Sequence, residues 1–539
     1  MNKLKDFLYI LFIALFIYGC AQISRPEGGP KDEDPPKFVS ASPENYSLLF
    51  DEEKIEIQFD EYVKLNNPQQ QIIFSPPILP RPEISPMGVA SKEVKIELAL
   101  DSIQDNTTYT INFGQSIEDN NEGNPLPFFK YVFSTGDYLD SLKLEGRIND
   151  MNYREAPEFV SVMLYEKDSL YSDSIVFKDI PTYVSYVMDS TNTFSLENMR
   201  AGTYKLIALE DKNNDYKFNP GREKIGYVED YIELPTQVSY ILNIFDTYKD
   251  FKPVRPKQVS KNHFIFGYEG ILDTTDFEID LLSKAPDTLE HRITKRRDAD
   301  TLDYWLNSYF KTDSLIFSFN YQDTSDSLVV RTKDIEADSL QLETKPSSII
   351  GFEEAFYIRA NLPLTAIDTS KISLVDADTL DVSYSAKLEK FQNQVRLQFD
   401  KKENTSYNIT ILPHALIDFY GHTNDTLNVN LRTKKKSDFS LLNLTITNLD
   451  RYPAIVQIVN DKEEVLKSVT LTNTNTHTFE YIPPQSGKSY IKVIYDDNEN
   501  GVWDPGDYLK NIQPEEVKYA ELKSELRANW DIVESVRLE

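Results

Sequence analysis

Short runs of alternating apolar and polar residues recur along the chain. In residues 55–59, the apolar residues Ile55, Ile57 and Phe59 alternate with polar ones. Successive side chains of a strand point to opposite faces, so this pattern predicts half-buried β-strands. Asn, Asp, Gly and Pro separate the runs, which indicates turns. We therefore expect an all-β protein of tandem β-sandwiches. Similar runs occupy residues 94–98 and 109–113.

A helical pattern is rare beyond the amino terminus. The best helix candidate is residues 514–528, although residues 525–530 also suit a strand.

Two segments of the chain each have a second copy. Residues 106–119 share an Asn-Thr-x-Tyr start and alternating apolar positions with residues 404–418. Residues 194–211 share a Phe, a Gly and a terminal Asp with residues 479–496. Two kinds of unit therefore occur twice around a middle piece, as expected from a duplication. The predicted domains are residues 38–137, 138–251, 252–346, 347–435 and 436–539.

The amino terminus has the composition of an export signal. Lys3 and Lys5 precede an apolar run over residues 7–18, which is too short to predict a membrane span. The signal peptide is expected at residues 1–19. Residues 20–37 are rich in Pro, Gly and charge and predict a flexible tether.

Cys20, the one cysteine of the chain, directly follows this signal. Ile17-Tyr-Gly-Cys20 resembles the lipobox of bacterial lipoproteins, which implies a lipidated Cys20 at the mature amino terminus. The alternative is an ordinary signal peptide that happens to contain cysteine. No Asp follows Cys20, which by the same resemblance implies the outer membrane. The acidic run at residues 31–34 resembles surface-export signals and implies the cell surface.

A set of short segments carries a family resemblance: residues 28–37, 42–43, 55–60, 106–109 and 133–136. Together they resemble bacterial Ig-like domain lipoproteins of the Gram-negative surface. The duplicated unit at residues 194–211 resembles transthyretin-like or carboxypeptidase-regulatory-like β-sandwiches. These resemblances imply adhesion, scaffolding or a role as a complex subunit, and they supply no catalytic residues.

Composition limits the partners. The chain has 57 basic and 87 acidic residues among 539, a formal net charge of −30. Phosphate backbones would be repelled, so nucleic acid is not expected. We expect the outer-membrane lipid leaflet, reached through Cys20, and other envelope proteins as partners.

Two acidic loops, residues 211–223 and 496–507, carry Asp or Asn at alternate positions. Oxygens spaced in this way suit Ca²⁺, which is the one cofactor considered. The spacing departs from an EF-hand and no helices are expected to flank the loops, so hairpin turns are the alternative. The candidate ligands are Asp211, Asn213, Asp215, Asn219, Glu223, Asp496, Asn498, Asn500, Asp504 and Asp507.

Repeated Asp-Ser/Thr-aliphatic tripeptides allow two interpretations. They resemble an O-glycosylation sequon of exported proteins, and they also fit a turn that leads into a strand. Examples begin at Asp140, Asp168, Asp313, Asp338, Asp378 and Asp425.

Motifs of enzymes are not found. The five histidines show no metal-ligand spacing, and no nucleophile elbow, P-loop or zinc-protease motif occurs. The sequence therefore predicts a non-enzymatic scaffold or accessory subunit of an envelope complex. The alternative is a glycan-binding surface lipoprotein. Its aromatic platform, or else part of a core, would be Tyr304, Trp305, Tyr309 and Phe310.

Overall fold

The computed structural model describes residues 32–538, apart from residues 170, 188–191, 298 and 310. Strands in the described residues fall into five successive groups along the chain. Each described sheet is built from strands of one group. The all-β prediction is confirmed, because period-2 positions such as Ile55 and Ile57 are fully buried between paired sheets.

Group 1 contains two facing sheets. The first has the order β1-β2-β5-β4 with β7 beside β2, and the second has the order β3-β6-β8. Its elements are β1 (Phe38–Ser42), β2 (Lys54–Leu65), the short helix α1 (Pro68–Gln71), β3 (Ile73–Ser75), β4 (Glu83–Ser85), β5 (Ser91–Glu97), β6 (Thr108–Asn112), β7 (Ile117–Asp119) and β8 (Lys130–Ser134).

Group 2 contains the sheets β11-β10-β13-β14, with β15 on β13, and β12-β9-β16. Its strands are β9 (Leu142–Asp150), β10 (Ser161–Glu166), β11 (Tyr183–Tyr186), β12 (Thr193–Met199), β13 (Gly202–Leu209), β14 (Ile225–Tyr227), β15 (Ile232–Leu234) and β16 (Tyr240–Ile244).

Group 3 pairs a sheet built on β19 and β22 with a second sheet, β20-β23-β24. Its strands are β17 (Lys252–Pro253), β18 (Lys257–Ser260), β19 (His263–Glu269), β20 (Phe277–Leu281), β21 (His291–Lys295), β22 (Thr301–Leu306), β23 (Ser314–Tyr321) and β24 (Thr324–Arg331).

Group 4 contains the sheets β25-β26-β30-β29, β28-β31-β33 and the pair β27-β32. Its strands are β25 (Leu342–Lys345), β26 (Phe356–Ala360), β27 (Leu364–Ile367), β28 (Ile372–Asp376), β29 (Tyr384–Glu389), β30 (Gln394–Phe399), β31 (Ser406–Ile411), β32 (Leu416–Asp418) and β33 (Leu427–Arg432).

Group 5 contains the sheets β36-β35-β38-β39 and β37-β34-β40. Its strands are β34 (Ser440–Thr447), β35 (Ala454–Asn460), β36 (Val465–Leu471), β37 (Thr476–Ile482), β38 (Ser489–Tyr495), β39 (Val517–Glu521) and β40 (Asp531–Arg537). Short 3₁₀ turns lie at Leu100–Ser102, Asp173–Phe177, Thr369–Lys371 and Lys436–Asp438.

The duplication seen in the sequence is present in the topology. Groups 2 and 5 share one strand order, and in each the last strand pairs parallel with the first. Groups 1 and 4 share a buried tyrosine whose hydroxyl accepts a backbone N–H five residues upstream. Tyr109 binds the amide of Gln104 at 2.8 Å, and Tyr407 binds the amide of Lys402 at 2.6 Å.

The helix expected at residues 514–528 is wrong. β39 lies inside this range and its backbone pairs with β38, so tertiary pairing overrides the local helical pattern. Residues 525–530 are not a strand either, since β40 begins at Asp531. No helix in the described part of the chain is long and apolar enough to cross a membrane.

Consecutive groups touch one another. The hydroxyl of Ser75 in group 1 accepts the amide of Val184 in group 2 at 3.1 Å. Lys249, which follows β16, binds Glu269 of group 3 at 3.3 Å. Group 4 contacts its neighbours on both sides: Lys295 donates its backbone amide to the Phe391 carbonyl at 2.8 Å, and the rings of Phe352 and Tyr481 lie 4.4 Å apart.

Candidate functional site

The first acidic loop leaves β13 and is organised by Asp211. This carboxylate is 9% exposed and accepts the backbone amides of Asp215 at 3.2 Å and Tyr216 at 2.8 Å. Two further candidate ligands, Asn213 and Asp215, have exposed side chains. Asp211 therefore satisfies amides that the turn would otherwise leave without partners.

Glu223 closes the same loop. Its carboxylate accepts the amide of Lys212 at 3.2 Å and that of Asn219 at 2.8 Å. The Asn219 side chain also donates to it at 3.2 Å. One buried carboxylate thus joins the start and the end of the loop.

The second acidic loop repeats the first half of this arrangement. Asp496 accepts the amides of Asn500 at 3.0 Å and Gly501 at 2.9 Å, which are the same offsets of four and five residues as in the first loop. The Asp504 carboxylate accepts the side-chain amide of Asn498 at 2.7 Å and that of Asn500. All five residues thus act within the turn.

Closure of the second loop differs from the sequence expectation, which used Asp507. The closing carboxylate is Glu515, which accepts the amides of Asp497 at 2.9 Å and Asp504 at 3.1 Å. Asp507 instead pairs with Lys510 at 2.9 Å. Seven additional residues precede the closing glutamate in this copy, so the equivalent of Glu223 lies beyond the stretch in which the sequence pattern places it.

Burial is the dominant influence on these carboxyl groups. It raises the pKa of Asp211, Glu223 and Glu515 above the ordinary values, against the lowering effect of the backbone amides they accept. Asp507 differs: its pKa is lowered, because the bonds from Lys510 and the loop backbone outweigh its burial.

A calcium site requires several oxygens that converge on one point. Within the described residues, no three His, Cys, Asp or Glu side chains lie close enough to hold a metal ion. Four carboxylates instead accept backbone amides of their own turns: Asp211, Glu223, Asp496 and Glu515. Asp504 accepts side-chain amides, and Asp507 pairs with Lys510. This arrangement fits the hairpin interpretation, in which the turns hold their shape through their own hydrogen bonds.

The lengthened segment of the second loop, residues 505–514, replaces the three residues 220–222 of the first loop and lies on group 2. Tyr508 is 5% exposed and joins the group 2 core that contains Phe245 and Ile225. A side chain at Gly506 would lie 2.5 Å from the ring of Phe245, so glycine is needed for this approach. The insertion therefore docks the fifth group on the second.

A polar contact supports the same junction. The Lys492 ammonium donates to the carbonyl of Asn152 at 2.8 Å and to its side-chain oxygen at 2.7 Å. Tyr519 donates its hydroxyl to the same carbonyl at 2.7 Å. The guanidinium of Arg154 lies 3.7 Å from the ring centroid of Tyr490. Groups 2 and 5 thus share both apolar and hydrogen-bonded contacts.

Other predicted residues have varied positions. Cys20 and the signal peptide lie outside the described residues. Tyr304 and Trp305 are 0% and 3% exposed and belong to the interior, so they form no platform. The hydroxyls of the tripeptides at Ser141, Ser169, Ser339, Thr379 and Thr426 belong to exposed residues.

A buried histidine has no signal in the local sequence pattern. His263 is 6% exposed, binds Asp303 at 2.7 Å and stacks on Trp305 at 3.5 Å between centroids. The alternation of β19 and β22 places these residues on one face, but the pairing depends on the register between the two strands, in which His263 faces Trp305.

A family model described as a bacterial Ig-like domain matches residues 32–135. No curated protein matches the chain. The chain therefore contains an Ig-like domain at its beginning, within an all-β architecture of tandem sandwiches.

Solved structures that match the chain include the S-layer protein rSbsC(31-844), at 11% identity and a TM-score of 0.13, over 86% of this chain and 64% of that one. Another is Bacteroides ovatus SGBP-B in complex with a mixed-linkage heptasaccharide, at 10% identity and a TM-score of 0.18, over 64% and 86%. The chain spans less than two thirds of the S-layer protein. Similarity at this level carries no conclusion from these proteins to this chain.

Proposed function

We propose that the chain is an outer-membrane lipoprotein that acts, without catalysis, as a scaffold or accessory subunit of an envelope protein complex for assembly, secretion or uptake. Cys20 would carry the lipid, and the cell surface is the proposed location. The amino-terminal sequence supports the anchor, and the contacts between the groups support the scaffold.

The observation that carries the scaffold role is a closed path of contacts. Group 2 touches group 3, group 3 touches group 4, group 4 touches group 5, and group 5 returns to group 2 through Tyr508 and Lys492. The closed path restrains each of groups 2 to 5 from two sides, whereas a linear series of domains leaves each junction free to bend. A restrained arrangement holds several surfaces at fixed separations, which is what a scaffold requires.

The division into five domains is part of the proposal. The proposed boundaries are residues 137, 251, 346 and 435, and groups 2 and 5 are proposed to be transthyretin-like sandwiches. Residues 137, 251 and 435 lie between strand groups, whereas β25 (Leu342–Lys345) precedes residue 346 and pairs with β26 of group 4. Their common strand order and common Asp-to-amide loop support one origin for both.

The test is recovery of the native protein from membranes in mild detergent. A tagged chain is expected to co-purify with an outer-membrane barrel protein at a constant ratio. A Cys20→Ala chain controls for association that does not need the anchor. Recovery of the wild-type chain alone would contradict the scaffold role. On intact cells, protease added from outside is expected to cleave the chain, because the proposed location is the cell surface.

A glycan-binding role is the second candidate, and one cleft favours it. Between groups 1 and 2 lies a cleft of about 520 Å³ lined by Gln71, Gln115, Phe159 and Tyr186. Aromatic rings beside amide groups suit sugars, which have apolar faces and polar edges. Phe159 adopts φ 59°, which is a strained backbone conformation for an aromatic residue. Strained conformations of this kind occur preferentially at functional sites of proteins.

A glycan array with the soluble chain tests this candidate. Binding that is lost in Phe159→Ala, with an unchanged melting temperature, would support it. If the chain bound no glycan on the array, the result would contradict the glycan-binding role, and the scaffold role would be the one candidate left.

A further inference from the structure

Exposed apolar side chains are unevenly distributed over the described residues. Of 33 large hydrophobic residues that are exposed, 10 lie in residues 38–137, which is about a fifth of the chain. Scattered exposed apolar residues are normal, but a concentration indicates a surface that binds something. The first group is therefore the place to look for a partner.

Five of these residues lie on segments that meet at the end of the sheet where the chain enters group 1. Phe38 and Val39 begin β1, Tyr62 is in β2, and Met87 and Val89 shortly precede Ser91, which pairs with Val63 of β2. Strand register pairs Phe38 with Phe59, and the Lys37 amide donates to the Asp60 carboxylate at 2.8 Å. Lys92 donates to the Asp60 carbonyl at 2.7 Å and lies 5.7 Å from the ring of Tyr62. We define the tether-end surface as the exposed residues Phe38, Val39, Tyr62, Met87 and Val89. It also includes the neighbouring carboxylates of Asp32, Asp60, Glu61, Asp119 and Glu122.

This surface is also acidic. The pKa of Glu61 is raised, first by partial burial and then by the nearby carboxylates of Asp119, Asp60, Asp32 and Glu122. Asp119 is occupied by four backbone amides of its own turn. Excess negative charge repels anionic lipid headgroups and attracts a basic protein surface. The charge therefore favours a protein over the lipid itself.

The tether limits where that protein can be. The side chain of Asn124 donates to the carbonyl of Asp32 at 2.9 Å, so the described chain begins against this end of group 1. Asp32 lies twelve positions after Cys20. Twelve residues of chain can span at most about 43 Å, even when fully extended. A lipid on Cys20 would therefore keep the tether-end surface close to the leaflet.

We infer that the tether-end surface docks on a membrane-embedded protein that presents basic and apolar residues just above the leaflet. The inference rests on the proposed anchor and names the contact by which the scaffold joins its complex. The apolar side chains supply buried area, and the carboxylates select the basic partner and orient it.

A photo-crosslinking residue at position 62 in living cells tests the inference, with the same residue at position 533 as control, since Val533 is 82% exposed in group 5. Position 62 is expected to give one adduct, on a Lys- or Arg-containing segment of a membrane-embedded protein. The double variant Glu61→Lys/Glu122→Lys is expected to lower the adduct yield about tenfold, because two charges become repulsive. Its melting temperature serves as the folding control.

Four outcomes would each overturn the inference. They are equal adduct yields from positions 62 and 533, an adduct with lipid alone, no adduct, and an adduct yield that is unchanged in the double variant. Fatty-acid labelling of Cys20 and co-purification are measured in the same cells. If both persist in the double variant while the wild-type adduct is absent, the surface is wrong and the proposed function stands. If label or co-purification is absent from the wild type, the proposed function itself fails.

Discussion

The ring of Tyr508 in group 5 packs edge-on against the ring of Tyr227 in group 2, with centroids 5.1 Å apart and planes at 78°. This geometry is favourable for aromatic pairs and adds to the burial of both rings. The contact joins the two copies of one duplicated unit, and it exists because only the second copy has a seven-residue insertion, which lies within residues 505–514. Duplication followed by insertion has thus produced an interface between the copies.

Removal of Tyr508 is predicted to open this junction. Tyr508→Ala should cost about 3 kcal/mol of docking free energy, because a fully buried aromatic side chain is lost. Small-angle X-ray scattering should then report a larger radius of gyration. Leu509→Ala is the matched control, since its side chain is 58% exposed in the same loop. Equal radii for wild type and Tyr508→Ala would show that the junction does not depend on this residue.

The two loop-closing glutamates, Glu223 and Glu515, are predicted to contribute similarly to the free energy of unfolding. Glu223→Gln and Glu515→Gln should each lower the free energy of unfolding by about 1–3 kcal/mol, because an amide nitrogen replaces one oxygen that accepts a backbone N–H. Chemical denaturation of each variant measures the loss. Asp507→Asn is the control and should cost less, because Asp507 pairs with the exposed Lys510. A larger loss for Asp507→Asn than for Glu515→Gln would reverse the assignment of the closing residue.

The same glutamates should make stability depend on pH. Burial raises the pKa of Glu223 and Glu515 in the folded state, so the folded chain binds protons more tightly than the unfolded chain does. Their contribution to the unfolding free energy therefore falls as pH rises from the ordinary Glu pKa, about 4.3, to the raised value, and is constant above it. The difference between wild type and Glu223→Gln, followed by denaturation from pH 4 to 7, isolates this contribution. If the unfolding free energy of the wild type relative to Glu223→Gln instead rose with pH over this range, the result would contradict the burial of the Glu223 carboxyl group.

Binding of calcium by the two acidic loops remains a prediction, and thermal unfolding with and without calcium tests it. A cation that binds only the folded chain must raise its melting temperature. The turn interpretation, which the hydrogen bonds of Asp211 and Asp496 favour, expects the same midpoint in calcium and in chelator. A higher midpoint in calcium that disappears in Asp211→Asn would establish the ion site.

Local patterns in the sequence predicted much of the fold. Alternation around Ile55 fixed strand positions because one face of each strand had to be buried. The repeats also predicted the loops that begin at Asp211 and Asp496. These features depend on neighbouring residues, so they can be seen in one sequence.

Features that depend on distant residues were missed. Glu515 was overlooked because the insertion moved it seven positions beyond its counterpart. The contact between Tyr508 and group 2, and the pairing of His263 with Asp303, depend on packing and register that no local period encodes. Residues 514–528 show the same limit, since pairing with β38 decided their structure.

A lipid at Cys20 is the feature on which the proposed function depends most directly. Cells that express the chain are labelled with a fatty acid that carries a chemical handle, and the purified mature protein is then measured by mass spectrometry. We predict that label is found on Cys20 as the first residue, and that Cys20→Ala is unlabelled and released from the membrane. A mature wild-type chain that carries no label at Cys20 would contradict the proposed anchor and the role that depends on it.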